Sequence, residues 1–347
     1  MSDGEEFSGS ADDEGKEPGG ESGKETDIES RGYEVELVAE HPVDELTRVA
    51  TVAENQGFGG VWVTDHYNNR NPLVALTSIA RETEEVEIGP GITNPYYAHP
   101  AWMASAVATL DEVSGGRARL GIGAGDTNTL AALEIERGSP LYEVLDAIKL
   151  TRGLLSGDSV SIEDLAKDAR LNYDARVPPV FVGAQGPNML RMASDHGDGV
   201  LINGSHPRDF EWSLEQMGDT EAEAVAYTSF SVDRDEEAAK RVAKQPVAFV
   251  ASGSPPPVLE RHGIDEELAA EIGENIEAGR FGEAFELVSD GMLEAFSIYG
   301  TPEDCREKVE ELFDVGVDTV VVGSPLGPDP EESVKLAAEA LGVDSVL

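Results

Sequence analysis

The 347-residue chain is short of cysteine and of long apolar runs, and each shortage excludes a class of protein. Cys305 is its single cysteine, which leaves no disulfide framework and no cysteine-based metal cluster. No apolar run approaches the roughly 18 residues that a helix needs to cross a bilayer. The amino terminus also lacks the basic start and apolar core of a signal peptide. We therefore expect a soluble, cytoplasmic protein with no metal site and no membrane partner.

Basic residues are scarce as well. Lys and Arg number 25 against 69 Asp and Glu, which gives a net charge of −44. Residues 1–32 hold 11 acidic and 3 basic residues, so most of the excess lies in the rest of the chain. A nucleic-acid partner is not expected, because its phosphates would need Lys and Arg. Such a surface repels itself in dilute buffer, and the composition is typical of a salt-accumulating halophile.

The charge predicts a strong dependence of stability on salt. In molar salt the Debye length shrinks to about 3 Å, so the acidic groups repel one another little. Below about 1 M salt we expect the protein to unfold or its subunits to dissociate. The check is a series of thermal melts in decreasing KCl. A melting temperature that does not change with salt contradicts this prediction.

Residues 1–32 differ in composition from everything that follows. They consist almost entirely of Gly, Ser, Glu and Asp, with very few apolar side chains. Because they cannot bury enough surface to offset the entropy of ordering, we predict a disordered acidic extension, with an interaction tail as the alternative. Residues 33–347 are predicted to form one catalytic barrel domain.

From residue 33 onward, short apolar runs alternate with amphipathic helical stretches. Near-continuous apolar runs are typical of parallel strands covered on both faces. Eight strand-plus-helix units predict an α/β fold, a (β/α)8 TIM barrel, with a doubly wound open sheet as the alternative. Residues 233–316 are too long for one crossover, which predicts a helical insertion at about 233–300, over the barrel mouth before the last strand. The predicted strands are 33–39, 60–64, 86–92, 117–121, 179–183, 199–203, 224–231 and 318–323.

Functional residues of a barrel lie where strands end and βα loops begin. Glu36 lies within the first predicted strand, where a buried carboxylate is costly unless it is neutral or hydrogen-bonded. A raised pKa would suit a general acid, and a solvent-facing Glu on the other face of the strand is the alternative. The second strand ends in the cluster DHYNN at 65–69, which is either a polar site or a capped turn. The histidines show no metal-pair spacing.

Glycine-rich junctions follow three other strands. The segment GPGITNP at 89–95 either lets a planar ligand approach the backbone closely or forms an ordinary turn. The segment GIGAGD at 121–126 has the composition of a dinucleotide fingerprint, but its third glycine falls one residue early, which excludes a Rossmann site. The segment GAQGP at 183–187 opens a helix whose backbone amides suit a phosphate, or it places Gln185 against a heterocycle.

Taken together, these junctions resemble the F420-dependent 5,10-methylenetetrahydromethanopterin reductases of the bacterial-luciferase-like superfamily. The resemblance covers residues 33–341 and implies a TIM barrel that binds coenzyme F420, an 8-hydroxy-5-deazaflavin. It implies hydride transfer from reduced F420 to a 5,10-methylenetetrahydropterin, which gives the 5-methyl form in one-carbon metabolism. The matching segments are TDHYNN at 64–69, GPGITNP at 89–95, ATLDE at 108–112, LGIGAGD at 120–126, GAQGP at 183–187, ASGSPPP at 251–257, ERHG at 260–263 and GSPLGPD at 323–329.

The resemblance also implies roles for individual residues. Glu36 is expected to protonate the pterin nitrogen as the methylene bridge opens. Asp126 is expected to orient the pterin or support Glu36, and Gln185 to contact the two ring systems. A non-proline cis peptide is implied between Gly91 and Ile92. The expected cofactor neighbours are Asp65, Asn68, Gly91, Ile92, Thr93, Asn94, Gly123, Gly186 and Pro187.

Two departures from the family pattern leave the identity of the pterin open. They are the segment 135–140 and Glu34, at a position where glycine is commoner, and both are expected to flank the pterin. Methylenetetrahydrofolate is therefore an alternative substrate. The residues also fit an F420-dependent alcohol or sugar-phosphate dehydrogenase with His66 as the base, or a non-catalytic deazaflavin carrier. The resemblance implies a homo-oligomer, either a dimer or a tetramer.

Overall fold

The computed structural model describes residues 31–163 and 166–343. Residues 1–30 lie outside the described part, so the predicted acidic extension stays a prediction, although Gly32 at its predicted end already begins a strand. The strands are β1 (Gly32–Leu37), β2 (Gly60–Val63), β3 (Glu87–Pro90), β4 (Leu120–Gly123), β5 (Val160–Ile162), β6 (Ala166–Ala169), β7 (Val180–Gly183), β8 (Gly199–Asn203), β9 (Glu223–Val232), β10 (Ile298–Gly300) and β11 (Thr319–Leu326).

Helices follow the strands, and many begin with proline in the first turn, where its missing N–H costs nothing. They are α1 (Val43–Gln56), α2 (Pro72–Glu82), α3 (Pro100–Ser114), α4 (Thr127–Ala132), α5 (Pro140–Leu155), α6 (Pro187–His196), α7 (Pro207–Met217), α8 (Glu236–Gly253), α9 (Pro256–His262), α10 (Glu266–Glu277), α11 (Phe281–Glu286), α12 (Asp290–Phe296), α13 (Pro302–Asp314) and α14 (Pro330–Leu341). None of the helices in the described residues is both long and apolar enough to cross a bilayer.

The eight predicted strands form a closed parallel barrel. Their order is β3-β2-β1-β11-β9-β8-β7-β4, and every neighbouring pair is parallel. Isolated parallel bridges join Ile88 to Ala118 and Thr93 to Ile122, which connects the two ends of this order. The predicted TIM barrel is confirmed, and the open doubly wound sheet is excluded.

Three short strands were not predicted. β5 and β6 pair as an antiparallel hairpin, and β10 pairs with β9. The hairpin strands are three and four residues long, and their half-buried or exposed side chains include polar residues between the apolar ones, so they give no continuous apolar signal. β4 also begins three residues later than predicted, because residues 117–119 join β3 only through the isolated bridge between Ile88 and Ala118.

The predicted insertion lies between β9 and β11 and contains α8 to α12. It has an apolar core of its own, which includes Val247, Ile272 and Met292. Asp209 of α7 is one link between the barrel and this insertion. That carboxylate accepts hydrogen bonds from Arg261 at 2.6 Å and from His262 at 3.0 Å, both at the end of α9. Gly253, the last residue of α8, reaches the mouth of the barrel.

The barrel interior is filled by side chains from alternate strand positions. Five different strands supply one buried cluster, which consists of Trp62, Phe181, Leu201, Val225 and Val321. Ile92 and Tyr227 pack against this cluster at the carboxyl ends of the strands. Glu36 pairs in register with Trp62, so its side chain points into the barrel on the same side.

Glu34 lies at the opposite, amino end of the barrel. Its Oε1 accepts a hydrogen bond from Arg119 Nη1 at 2.6 Å, and the two side chains are 9% and 3% exposed. Both line a cavity of about 350 Å³ with Gly32 and Gly59, at the start of the strands. The expectation that Glu34 flanks the pterin is therefore wrong. Glu34 and Glu36 are two positions apart on the inner face of β1, so Glu34 lies nearer the amino end of the barrel and Glu36 nearer the carboxyl end.

Candidate active site

A cavity of about 690 Å³ opens at the carboxyl ends of the barrel strands. Its size falls within the roughly 300–1,000 Å³ of sites that hold cofactors and small substrates. It also lies where barrel enzymes carry their chemistry. The structure brings eight of the predicted site residues together in its lining: Glu36, Asp65, Gly91, Ile92, Asn94, Asp126, Gln185 and Gly186.

Glu36 is the buried acid of this cavity. Its residue is 8% exposed, and its Oε2 accepts a hydrogen bond from the backbone N–H of Ser324 at 2.7 Å. Burial raises the pKa of the carboxyl to about 7, against the smaller lowering effect of the Ser324 hydrogen bond. The solvent-facing alternative is excluded. A carboxyl with this pKa is protonated about half the time at neutral pH, which suits proton donation.

Gly91 and Ile92 form the floor of the cavity, and the peptide bond between them is cis, as the resemblance implies. The carbonyl of Gly91 accepts a hydrogen bond from the Tyr227 hydroxyl at 3.0 Å. A Cβ atom at Gly123 would lie 2.4 Å from Ile92 Cδ1, and one at Gly183 would lie 2.3 Å from it. Glycine at these positions therefore makes room for the Ile92 side chain beneath the ligand space.

Asp65 and Asn94 shape one wall. Asp65 is half-buried, and burial raises the pKa of its carboxyl, while a Thr93 hydrogen bond and the nearby His66 act to lower it. Asn94 is 3% exposed, and its Oδ1 accepts hydrogen bonds from the backbone N–H groups of Tyr96 and Tyr97 at 3.0 and 3.2 Å. These bonds hold the loop after β3 in shape around the cavity.

Asp126 and Gln185 stand at the rim and are exposed. Asp126 Oδ1 accepts a hydrogen bond from the backbone N–H of Thr129 at 2.7 Å, so this carboxylate caps α4 while it lines the cavity. Gln185 precedes α6, whose N-cap residue, Gly186, supplies no side-chain hydrogen bond. The pterin-orienting and ring-contacting roles expected of these two residues stay predictions.

Four of the predicted cofactor neighbours lie beside the cavity lining instead of in it. Thr93 faces a second cavity of about 770 Å³, which shares Asp65, His66 and Tyr97 with the first. Gly123 lies beneath the Ile92 side chain. Pro187 is exposed in the first turn of α6, and Asn68 is exposed in the loop after β2, where its neighbour Asn69 lines the second cavity.

The sequence-based predictions missed several lining residues. Thr64, Asn203 and Tyr227 all border the cavity, and so does Arg137, which was named only as part of the segment 135–140 that was expected to flank the pterin. Burial raises the pKa of Tyr227 well above its usual range, and Glu36 and Glu34 add to the shift. The hydroxyl therefore stays protonated and donates a hydrogen bond to the Gly91 carbonyl. The alternation along β9 could have placed Tyr227 inside the barrel, two residues after the buried Val225.

The cavity fits a flat ring system. Its floor and sides offer the apolar surfaces of Ile92, Leu201 and Met189, and its edges offer carboxyl, amide and hydroxyl groups. A Cβ atom at Gly186 would meet no neighbour within 4 Å, so this part of the rim is open to a ligand. Within the described residues there is no cluster of three or more His, Cys, Asp or Glu suited to a metal ion.

Comparison with known proteins agrees with this geometry. The profile of the luciferase-like monooxygenase family matches residues 26–319. The 5,10-methylenetetrahydromethanopterin reductase of Methanolobus tindarius is 42% identical over 89% of this chain and 99% of its own length, and that of Archaeoglobus fulgidus is 42% identical over 89% and 98%. The coenzyme F420-dependent tetrahydromethanopterin reductase structure from Methanopyrus kandleri superposes with a TM-score of 0.84 at 38% identity, over 89% of this chain and 98% of that one. The chain belongs to the luciferase-like family and, within it, to the 5,10-methylenetetrahydromethanopterin reductases.

Proposed function

We propose that this protein transfers a hydride from reduced coenzyme F420 to 5,10-methylenetetrahydromethanopterin and so forms the 5-methyl pterin. The observation that carries the proposal is the Glu36 carboxyl, which is buried beneath the ligand cavity with a pKa of about 7. The names of relatives 42% identical over nearly their whole length support the same reaction.

The residues of the cavity divide into a holding group and a proton-bearing group. Gly91, Ile92, Asn94 and Gly186 would hold the deazaflavin, with its ring against the Gly91–Ile92 floor. Coenzyme F420, when bound, supplies the hydride. This chain would supply the position of the ring and the proton, because burial disfavours the charged form of Glu36 and keeps its carboxyl protonated to higher pH.

Glu36 is the proton donor of the proposed reaction. Opening the methylene bridge breaks a carbon–nitrogen bond, and the nitrogen that leaves must gain a proton. Oε2 of Glu36 already accepts from Ser324, which leaves Oε1 as the oxygen that would carry the proton to the substrate. The Tyr227 hydroxyl stays protonated and donates its hydrogen bond to the Gly91 carbonyl, so it does not compete with Glu36 as the proton donor. Asp126 and Gln185 would orient the pterin from the rim.

The raised pKa of Glu36 predicts opposite pH profiles for the two directions of the reaction. Reduction of the methylene pterin needs the protonated acid, so its chemical rate constant should fall about tenfold per pH unit above about pH 7. Oxidation of the methyl pterin needs the carboxylate, so its rate constant should fall below about pH 7. Stopped-flow absorbance of the deazaflavin measures both. Profiles that slope the same way in both directions contradict the assignment.

The function itself is tested by a crossed steady-state assay in about 2 M KCl, where the acidic surface is screened. Reduced F420 is combined in turn with methylenetetrahydromethanopterin and methylenetetrahydrofolate, and oxidised F420 with a secondary alcohol and glucose 6-phosphate. We expect turnover with the methanopterin substrate. Preference for the folate substrate would correct the identity of the pterin. Preference for the alcohol or the sugar phosphate would overturn the proposed reductase activity. Binding of F420 without turnover of any substrate would indicate a non-catalytic deazaflavin carrier.

The compartment and assembly belong to the same proposal. We place the reaction in the cytoplasm of a salt-accumulating cell, because the net charge of −44 suits molar salt. We also expect a homo-oligomer, a dimer or a tetramer, with tetrahydropterin as its small-molecule partner. Light scattering in molar salt gives the subunit number, and a monomer at all salt concentrations contradicts the expectation.

A further inference from the structure

Arg137 is the exceptional charge of the active-site cavity. The ionisable acids of the lining are Glu36, Asp65 and Asp126, and Arg137 is the one Lys or Arg among the described residues that border it. The whole chain has only 25 such bases. A lone cation at the mouth of an acidic site is therefore the feature that the proposed reaction leaves unexplained.

Two hydrogen bonds hold the Arg137 side chain in place. It lies in the connection between α4 and α5, three residues before the lining residue Pro140. Its Nη1 donates to the Thr127 hydroxyl at 2.8 Å and to the Gly125 carbonyl at 3.3 Å. Gly125 lies in the loop that follows β4, and Thr127 is the first residue of α4. The two bonds fix one end of the guanidinium across this loop and direct the group toward the cavity.

Arg137 has no carboxylate partner within the described part of the chain. Arg119, Arg152, Arg176 and Arg261 all form ion pairs at 2.6 Å. The acid nearest to Arg137 along α5, Glu143, instead accepts from the Tyr96 hydroxyl. Among the described side chains, Nε and Nη2 of Arg137 are left uncommitted, and these two N–H groups form the edge of a guanidinium that binds a carboxylate or phosphate through two parallel bonds.

We propose that Arg137 binds an anionic group, a carboxylate or a phosphate, on the tail of a ligand whose ring lies deeper in the cavity. This inference rests on the proposed function, because that function names two ligands with such tails. The deazaflavin cofactor carries a phosphate and carboxylates beyond its ring, and the tetrahydropterin carries anionic groups beyond its own. Arg137 would thus contribute to affinity and leave the hydride and proton steps unchanged.

The test measures equilibrium binding separately for the two sources of the anion. The variants are Arg137→Gln, Arg137→Lys and the matched control Arg48→Gln, which removes an exposed arginine of α1 that pairs with Glu331. The probes are coenzyme F420, followed by its fluorescence, tetrahydromethanopterin, followed by calorimetry, and the deazaflavin riboside, which has neither phosphate nor carboxylate. All titrations use the full chain in molar KCl.

We expect Arg137→Gln to raise Kd for one tailed ligand about 10-fold or more, since a charge-assisted bond is lost. The ligand affected identifies the source of the anion. Arg137→Lys should recover part of the affinity, Arg48→Gln should match wild type, and the riboside should bind all variants equally. Unchanged Kd for both tailed ligands, equal weakening by Arg48→Gln, or weakened riboside binding each overturns the inference. A wild-type protein that binds neither F420 nor pterin refutes the proposed function instead.

Discussion

Glu36→Gln is expected to lower the rate constant of pterin reduction by about 10²- to 10⁴-fold, the range that general acid catalysis contributes. Glutamine has nearly the same size and can still accept the Ser324 hydrogen bond, but it has no carboxyl proton to give. Affinity for F420 should stay within about twofold, because Glu36 belongs to the proton-bearing group of the cavity and not to its holding group. Single-turnover kinetics and F420 titration measure the two quantities.

The same variant has a stability signature that reports the raised pKa of Glu36 independently of catalytic activity. The folded-state pKa of about 7 lies above the ordinary value of 4.5, so the folded protein holds this proton more tightly than the unfolded chain does. Wild type should therefore lose about 3 kcal/mol of unfolding free energy relative to Glu36→Gln as pH rises from about 4.5 to about 7. Above that window the difference should be constant. A variant that keeps full reductase activity contradicts the assignment of Glu36.

Arg119→Met is expected to lower the free energy of unfolding by about 3–5 kcal/mol, because it leaves a buried carboxylate without its partner. Arg119 is 3% exposed and pairs with Glu34 at 2.6 Å, and its guanidinium lies 4.4 Å from the centre of the Trp62 ring. Trp62 Nε1 also donates to Glu34 Oε2. Loss of the arginine would remove the ion pair and the ring contact from the amino end of the barrel together.

A double-mutant cycle separates the ion pair from packing. Glu34→Gln in the Arg119→Met background should recover most of the loss, because the uncompensated charge is gone. Arg48→Met is the matched control. It breaks the exposed pair with Glu331 and should cost less than about 1 kcal/mol. Equal effects of Arg119→Met and Arg48→Met, measured by denaturant unfolding in molar salt, contradict the account of a buried, obligatory pair.

The architecture was predictable because the barrel strands are covered on both faces. β2 and β4 are buried at every position, and such strands give continuous apolar runs that the sequence displays directly. β5 and β6 are short, only half-buried or exposed, and carry polar residues between the apolar ones, so their pairing had no such signal. The start of β4 was predicted three residues early, because residues 117–119 join β3 only through the isolated bridge at Ala118.

The candidate site was predictable to the level of its loops and not of its individual side chains. The junctions that follow the strands could be located, and eight of the predicted residues line the cavity. The direction in which the Glu36 side chain points could not be predicted from the sequence, because a strand buried on both faces shows no alternation of polar and apolar residues to mark its inner side. Glu34 and Arg119 stand 85 residues apart, and no local pattern pairs them. The same holds for Tyr227 with Gly91 and for Arg137 with Thr127.

Infrared difference spectroscopy of wild type minus Glu36→Gln in molar KCl, titrated from acid to alkaline pH, observes this carboxyl directly. A buried protonated carboxyl should give a C=O band that is absent from the variant and half-lost near pH 7. The band should shift when a tetrahydropterin binds, since the acid faces the substrate. A carboxyl that titrates near 4.5, or that ignores the pterin, would leave the proposed reduction without a proton donor.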